Sequence, residues 1–126
     1  MLEYDKVRFS PPAPVAYVTL RHPETYLESD AVPMLIDTGA DITLLPQHAV
    51  LTLGVMPKLD RQYELVSFDG QASNATAIEL SLVFEGKIFR GQFLLLDQEI
   101  GILGRNVLNA ISLSLHGPQL SWELLR

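Results

Sequence analysis

The chain contains no cysteine, so disulfides, thiol catalysis and cysteine-based zinc sites are excluded and the redox compartment is left open. It also lacks any cluster of lysine or arginine. Fifteen acidic residues against nine basic ones give a formal charge of −6 and an isoelectric point near 4.9. With nothing to neutralise phosphates, nucleic acid is not an expected partner. No apolar run reaches the ~18 to 20 residues of a membrane helix, and the N-terminus lacks the basic-then-apolar pattern of a signal peptide. The expectation is a soluble, cytoplasmic protein without membrane contact. His22, His48 and His116 stand far apart without ligand spacing, so no metal site is expected. No internal repeat is present.

What remains is 126 residues with 48% hydrophobic content, enough for one globular domain over residues 1–126 with a real core. Its start, residues 1–14, is a proline-rich lead containing Pro11, Pro12 and Pro14. Thereafter the chain reads as short strands. Val15 to Leu20 is β-branched and aromatic, and His22-Pro23 stops it. Val32 to Ile36 reads as a strand buried on both faces. Pro46 suits the first turn of a short helix that Gly54 ends. Tyr63 to Ser67 begins a long hairpin with its tip at Phe68-Asp69-Gly70, Asp-Gly being a strong turn signal. The returning arm runs through Ala77 to Phe84, and Glu85-Gly86-Lys87 turns it into Ile88 to Leu96. A second short helix fits Arg105 to Ala110 behind Gly104. Ser112 to Leu115 and Leu120 to Leu124 form a last hairpin or strand pair, with Trp122 at alternating spacing in core or dimer packing. The fold class is all-β, a closed or sandwiched barrel with one or two short helices.

One acid needs explaining. Asp37 ends the apolar run Val32-Pro33-Met34-Leu35-Ile36, and apolar residues resume at Ile42, Leu44 and Leu45. A partly buried carboxylate requires hydrogen bonds, a partner or a proton. Thr38 can tie the turn through its hydroxyl, and Gly39 lets backbone N–H groups come close.

Two segments, Leu35-Ile36-Asp37-Thr38-Gly39-Ala40-Asp41 and Gly101-Ile102-Leu103-Gly104-Arg105-Asn106-Val107-Leu108, with a glycine-tipped hairpin between them, resemble the retroviral-type aspartic proteases. The order and spacing match, and the resemblance spans residues 15 to 125. It implies a retropepsin-like closed β-barrel and an aspartic endopeptidase that needs water but no metal or organic cofactor. Asp37 is then the catalytic acid. Because the chain holds a single Asp-Thr-Gly, the second carboxylate must be Asp37 of another copy in a two-fold homodimer. One carboxylate acts as general base and the other, protonated, donates to the substrate carbonyl; like charges ~3 Å apart share one proton.

The resemblance also implies individual roles. Thr38 would lock the two active-site loops across the dimer axis, and Gly39 and Ala40 would line the cleft floor. Asp41 would bind the backbone of an extended peptide or protein substrate and pair with Arg105. Asn106 would hydrogen-bond nearby backbone. Phe68, Asp69 and Gly70 would form the flap tip, and Ile102 and Leu103, with Phe68, apolar subsite walls. The flap has fewer glycines than viral ones. The termini differ from the short viral ends that interleave in a dimer sheet, and look more like bacterial or other cellular members. A catalytically inactive protease-fold module for dimerisation or peptide binding is the alternative, and a fragment of a transposon or viral polyprotein is a third reading. Alanine at position 40 removes a hydroxyl that serine could offer the carboxylate. The expected pH optimum is therefore less acidic than that of pepsin-like enzymes, and a pH–rate profile peaking below about pH 3 would contradict it.

Overall fold

Apolar residues alternate with polar ones along most of the chain, and in a strand that period puts one set of side chains on one face. The computed structural model describes the backbone of residues 1–66 and 69–126, and their side chains except at 58–62. In chain order the elements are β1 (Leu2–Asp5), β2 (Ala13–Arg21), β3 (Glu28–Ile36), β4 (Leu44–Pro46), α1 (Gln47–Leu51), β5 (Lys58–Val66), β6 (Ala72–Phe84) and β7 (Lys87–Leu96). There follow β8 (Gly101–Leu103), α2 (Arg105–Leu108), β9 (Ser112–His116), a 3₁₀ turn at Gly117–Gln119, and β10 (Ser121–Leu125).

The strands form one sheet in the order β5-β6-β7-β4-β8-β3-β2-β1-β10-β9, and an additional β2–β6 pairing closes the middle of it into a ring. The long β6 makes this closure possible. Its first half pairs with β5 from Ala72 to Ala77, its second half pairs with β2 at Ser81 to Val83, and β7 runs along its other side. The ring encloses a core in which Val18, Leu20, Met34, Leu45, Ile78, Leu82, Leu103 and Val107 are all but inaccessible to water. Each such large aliphatic side chain contributes about 1.5–3 kcal/mol relative to an exposed one. Trp122 is core, wholly buried, with its ring centroid 6.4 Å from that of Phe84. A smaller apolar cluster of Leu44, Ala75, Ala77 and Leu94 lies at the base of the β5–β6 hairpin. No helix among the described residues is long and apolar enough to cross a membrane.

Three features differ from the sequence reading. β3 is buried on one face only: Val32, Met34 and Ile36 point inward while Pro33 and Leu35 are half-exposed. The N-terminal lead contains a strand, β1, whose Leu2 and Glu3 pair with β10 and whose Tyr4 and Asp5 pair with β2. Finally, β8 is a strand of three residues, parallel to β3 and antiparallel to β4. Residues so few carry no periodicity of their own, and their partners define them.

The turn that follows β1 is organised by Asp5. Its Oδ1 accepts from the backbone N–H of Val7 (2.9 Å) and of Arg8 (2.8 Å), and its Oδ2 from Arg8 Nη1 (2.8 Å). The Arg8 backbone N–H is the largest cause holding this carboxyl below its ordinary value of 3.8; partial burial opposes it, and the Arg8 side chain and Val7 N–H reinforce it. A lowered folded-state value means that the ionised carboxylate stabilises the fold above the unfolded value, and that this is lost as pH falls through the folded one. Asp5→Asn should therefore lower the unfolding temperature at neutral pH, and the gap to wild type should close as pH falls below the ordinary carboxylate value. Thermal unfolding followed from pH 7 to about pH 2 tests this, and a gap of constant size would refute it.

Candidate active site

Asp37 stands just past the end of β3, where the parallel ladder with β8 stops. The last paired residues are Ile36 and Leu103, and the Asp37 N–H continues the ladder by donating to the Leu103 carbonyl at 3.1 Å. The chain then turns: Gly39 N–H donates to Asp37 Oδ1 (2.9 Å) and Ala40 N–H to the Asp37 carbonyl (3.2 Å). A side chain at position 39 would put its Cβ 3.1 Å from that carboxylate oxygen, so glycine gives the N–H its close approach. Asp37 is half-buried, and no group among the described residues donates to its Oδ2.

The turn is locked to the start of α2. Arg105 N–H donates to the Ala40 carbonyl (2.8 Å), and Arg105 Nη1 to the Thr38 carbonyl (2.7 Å). Thr43, fully buried, accepts from Gly104 N–H (3.0 Å) and donates its hydroxyl proton to Asn106 Oδ1 (2.7 Å). Gly104 is also a steric necessity, because a Cβ there would lie 2.6 Å from the Ile42 carbonyl. Backbone comes so near backbone that no side-chain rotation could relieve the clash.

The two motif segments therefore come together, but not every residue takes its expected place. Arg105 does not pair with Asp41; its guanidinium reaches the Thr38 carbonyl, and Asp41 is exposed and in no ion pair among the described residues. Asn106 serves a side chain, Thr43, rather than backbone. Leu103 cannot wall a subsite, since it is wholly buried in the main core, whereas its neighbour Ile102 is half-exposed. Strand alternation sends the two to opposite faces. Asp69 and Gly70 are exposed at the end of the β5–β6 hairpin, where Gln71 N–H donates to Asp69 Oδ1 (3.0 Å). Phe68 lies outside the described residues.

Beside Leu35 and Ile102, which pair across β3 and β8, opens a recess of about 500 Å³ whose walls also include Arg8, Phe9, Leu96 and Ile100. Arg8 and Phe9 were not foreseen from the sequence, because they arrive from the turn after β1 and carry no local motif. Thr43 was missed as a site residue too. A threonine between apolar residues and shortly after an acid is its only sequence signal.

A profile of the retroviral aspartyl protease family matches residues 14–116. Among solved structures, the EIAV protease complexed with the inhibitor HBY-793 is similar, with a TM-score of 0.57 and 19% sequence identity, covering 84% of this chain and 91% of that one. At that identity the likeness concerns the fold: strands in a closed ring with two short helices. Comparison with curated protein sequences gives no match. The chain belongs to the retroviral aspartyl protease family.

The Thr43 bridge can be tested on stability alone. Thr43→Val keeps the shape but leaves the Gly104 N–H and Asn106 Oδ1 without their partner, and should cost about 1–3 kcal/mol in urea unfolding. Thr43→Ser retains the hydroxyl and should lose less than about half of that. Equal losses in the two variants would mean that the hydroxyl does not carry the bridge.

Proposed function

We propose that this chain is an aspartic endopeptidase that acts as a homodimer, with Asp37 of each copy forming the catalytic pair. The observation that carries this reading is the state of Asp37. Its backbone is fixed by the β8 ladder, one carboxylate oxygen is held by Gly39 N–H, and the other has no donor among the described residues. A second carboxylate brought to that open side completes the chemistry. The ionised member of the pair takes a proton from water as the water oxygen attacks the peptide carbonyl carbon, and the protonated member donates to the carbonyl oxygen. The resulting diol collapses as the C–N bond breaks: one diol hydroxyl gives its proton to the now-ionised carboxylate, and the amine leaves with the proton of the other.

The remaining roles follow from position. The Thr38 hydroxyl makes no bond among the described residues and is exposed, in keeping with a contact across the two-fold axis. Ala40 and the exposed Asp41 border the path of an extended peptide, and the β5–β6 hairpin, with Asp69 and Gly70 at its tip, closes over it as a flap. Leu35, Ile102 and the recess beside them favour apolar side chains next to the cleaved bond.

The test is cleavage of a diverse peptide library between about pH 4 and pH 7 by wild type and Asp37→Asn, with dimerisation followed in the same samples. The expected result is cleavage by wild type, reduced at least about 100-fold in the variant while its dimer persists. A folded dimer that cleaves nothing would overturn the assignment in favour of a protease-fold binding module.

A further inference from the structure

A second concave surface lies between the first half of β3, α1 and the turn that leads from β7 to β8, and encloses about 720 Å³. Val32 and Pro46, both buried, form its floor, and Pro33 and Ala49 are half-buried in its walls. Asp30, Asp97 and Glu99 stand exposed around it.

We propose that this groove docks a basic segment of the protein substrate, with lysine or arginine stems over the apolar floor and their charged ends among the three carboxylates. The inference rests on the peptidase reading of the site and adds to it a binding surface outside the cleft.

Three observations name this occupant. The first is continuity. Gln98 and Glu99 line both the groove and the recess beside Leu35 and Ile102, so a single turn of the chain separates the two. A polypeptide that leaves the recess and crosses that turn enters the groove. The second is charge complementarity. The lining of the groove holds no lysine or arginine, and its one histidine is His48. By contrast, the recess contains Arg8, and a hollow beside β1 contains Lys6 and Arg8. None of the three carboxylates of the groove is in an ion pair among the described residues, whereas Asp5, Glu28 and Glu85 are each held by an arginine. Asp30 Oδ1 accepts from the Thr19 hydroxyl (3.0 Å), a neutral donor that leaves the carboxylate without a countercharge. The third is the apolar floor. A lysine or arginine side chain is apolar along its stem and charged at its end, which matches a floor of Val32 and Pro46 beneath a rim of acids. A purely apolar segment would cover those carboxylates without pairing them, and an acidic one would be repelled.

Binding is measured in an Asp37→Asn background at about pH 7.5 and low salt, by fluorescence anisotropy of a labelled peptide of alternating lysine and alanine. Asp30→Lys combined with Asp97→Lys should weaken binding of this probe at least about tenfold. Glu3→Lys combined with Glu24→Lys makes the same change of charge at exposed positions outside the groove, and should weaken it less than about threefold. Glu99 is left in place because it also borders the recess. In the active protein, joining the lysine-alanine sequence to one end of a cleaved library peptide should lower KM at least about fivefold with kcat unchanged, the mark of binding energy gained away from the reacting bond. The Asp30→Lys, Asp97→Lys protein should show no such gain. Equal weakening of probe binding by the two pairs of substitutions overturns the inference. So does a loss of dimerisation in the Asp30→Lys, Asp97→Lys protein with probe binding intact, which would give the surface to a second copy of the chain. The two readings fail separately. Probe binding that depends on Asp30 and Asp97 in a protein that cleaves no peptide removes the protease and leaves the groove as a site for basic segments, whereas cleavage with no gain from a basic extension at either end removes the groove and leaves the protease.

Discussion

The structure depends on the lock between two short segments distant in sequence, residues 37–43 and 103–106. Five hydrogen bonds join them: Asp37 N–H to Leu103 O, Arg105 N–H to Ala40 O, Gly104 N–H to Thr43 Oγ1, Arg105 Nη1 to Thr38 O, and Thr43 Oγ1 to Asn106 Oδ1. Most of the donors are backbone N–H groups at the end of a strand or the start of a helix, where no regular partner exists. Here a turn of the chain supplies the acceptors. α2 has no side-chain cap at its N-terminus, and the Asp37 turn takes that role. Neither segment could shift without exposing or orphaning the polar groups of the other.

The ring of strands gives this lock its rigidity. β8 lies between β3 and β4, parallel to the first and antiparallel to the second, so the chain passes through the Asp37 turn between the two strands that flank β8. β4 in turn pairs with β7, and the Leu94 N–H donates to the Thr43 carbonyl. Thr43 is thereby held from two directions, through its backbone by β7 and through its hydroxyl by α2. On the other side of the ring, β2 touches both β3 and β6. A movement of the acid would have to deform a closed ladder.

Much of this was legible in the sequence, for identifiable reasons. Asp37-Thr38-Gly39 and Gly104-Arg105-Asn106 are constrained by local geometry, since close backbone approach demands glycine at 39 and 104, and such constraints leave fixed residue types. The turns at 69–70 and 85–86 announced themselves through Asp-Gly and Glu-Gly between β-forming arms. What was not legible depends on tertiary partners. β1 and β8 are too short to show a period. The Arg105 guanidinium could have reached Asp41 or a carbonyl with equal chemical sense, and which it reaches depends on how tightly the turn folds. Leu103 and Ile102 look alike in sequence, yet alternation buries one and turns the other toward the recess. Thr43, Arg8 and Phe9 matter through contacts with residues far away in the chain.

That Arg105 donates to a carbonyl, and is in no ion pair with Asp37 or Asp41 among the described residues, bears on the proposed chemistry. An arginine beside a catalytic acid holds it ionised and opposes the sharing of a proton with a second acid. In this chain Arg105 donates to the Thr38 carbonyl, and Arg8, which lines the recess beside Leu35 and Ile102, donates to Asp5. No ion pair involves Asp37 among the described residues. Positive charge is thus used to tie down neutral backbone around the acid, or spent on a turn beyond it, while a peptide N–H fixes the carboxylate itself. This arrangement positions Asp37 without an ion pair among the described residues; in the proposed dimer a second, identical carboxylate would approach it and share one proton with it. A fold that pinned Asp37 with its own arginine would have gained an ion pair and lost the coupling that a proton-sharing pair requires.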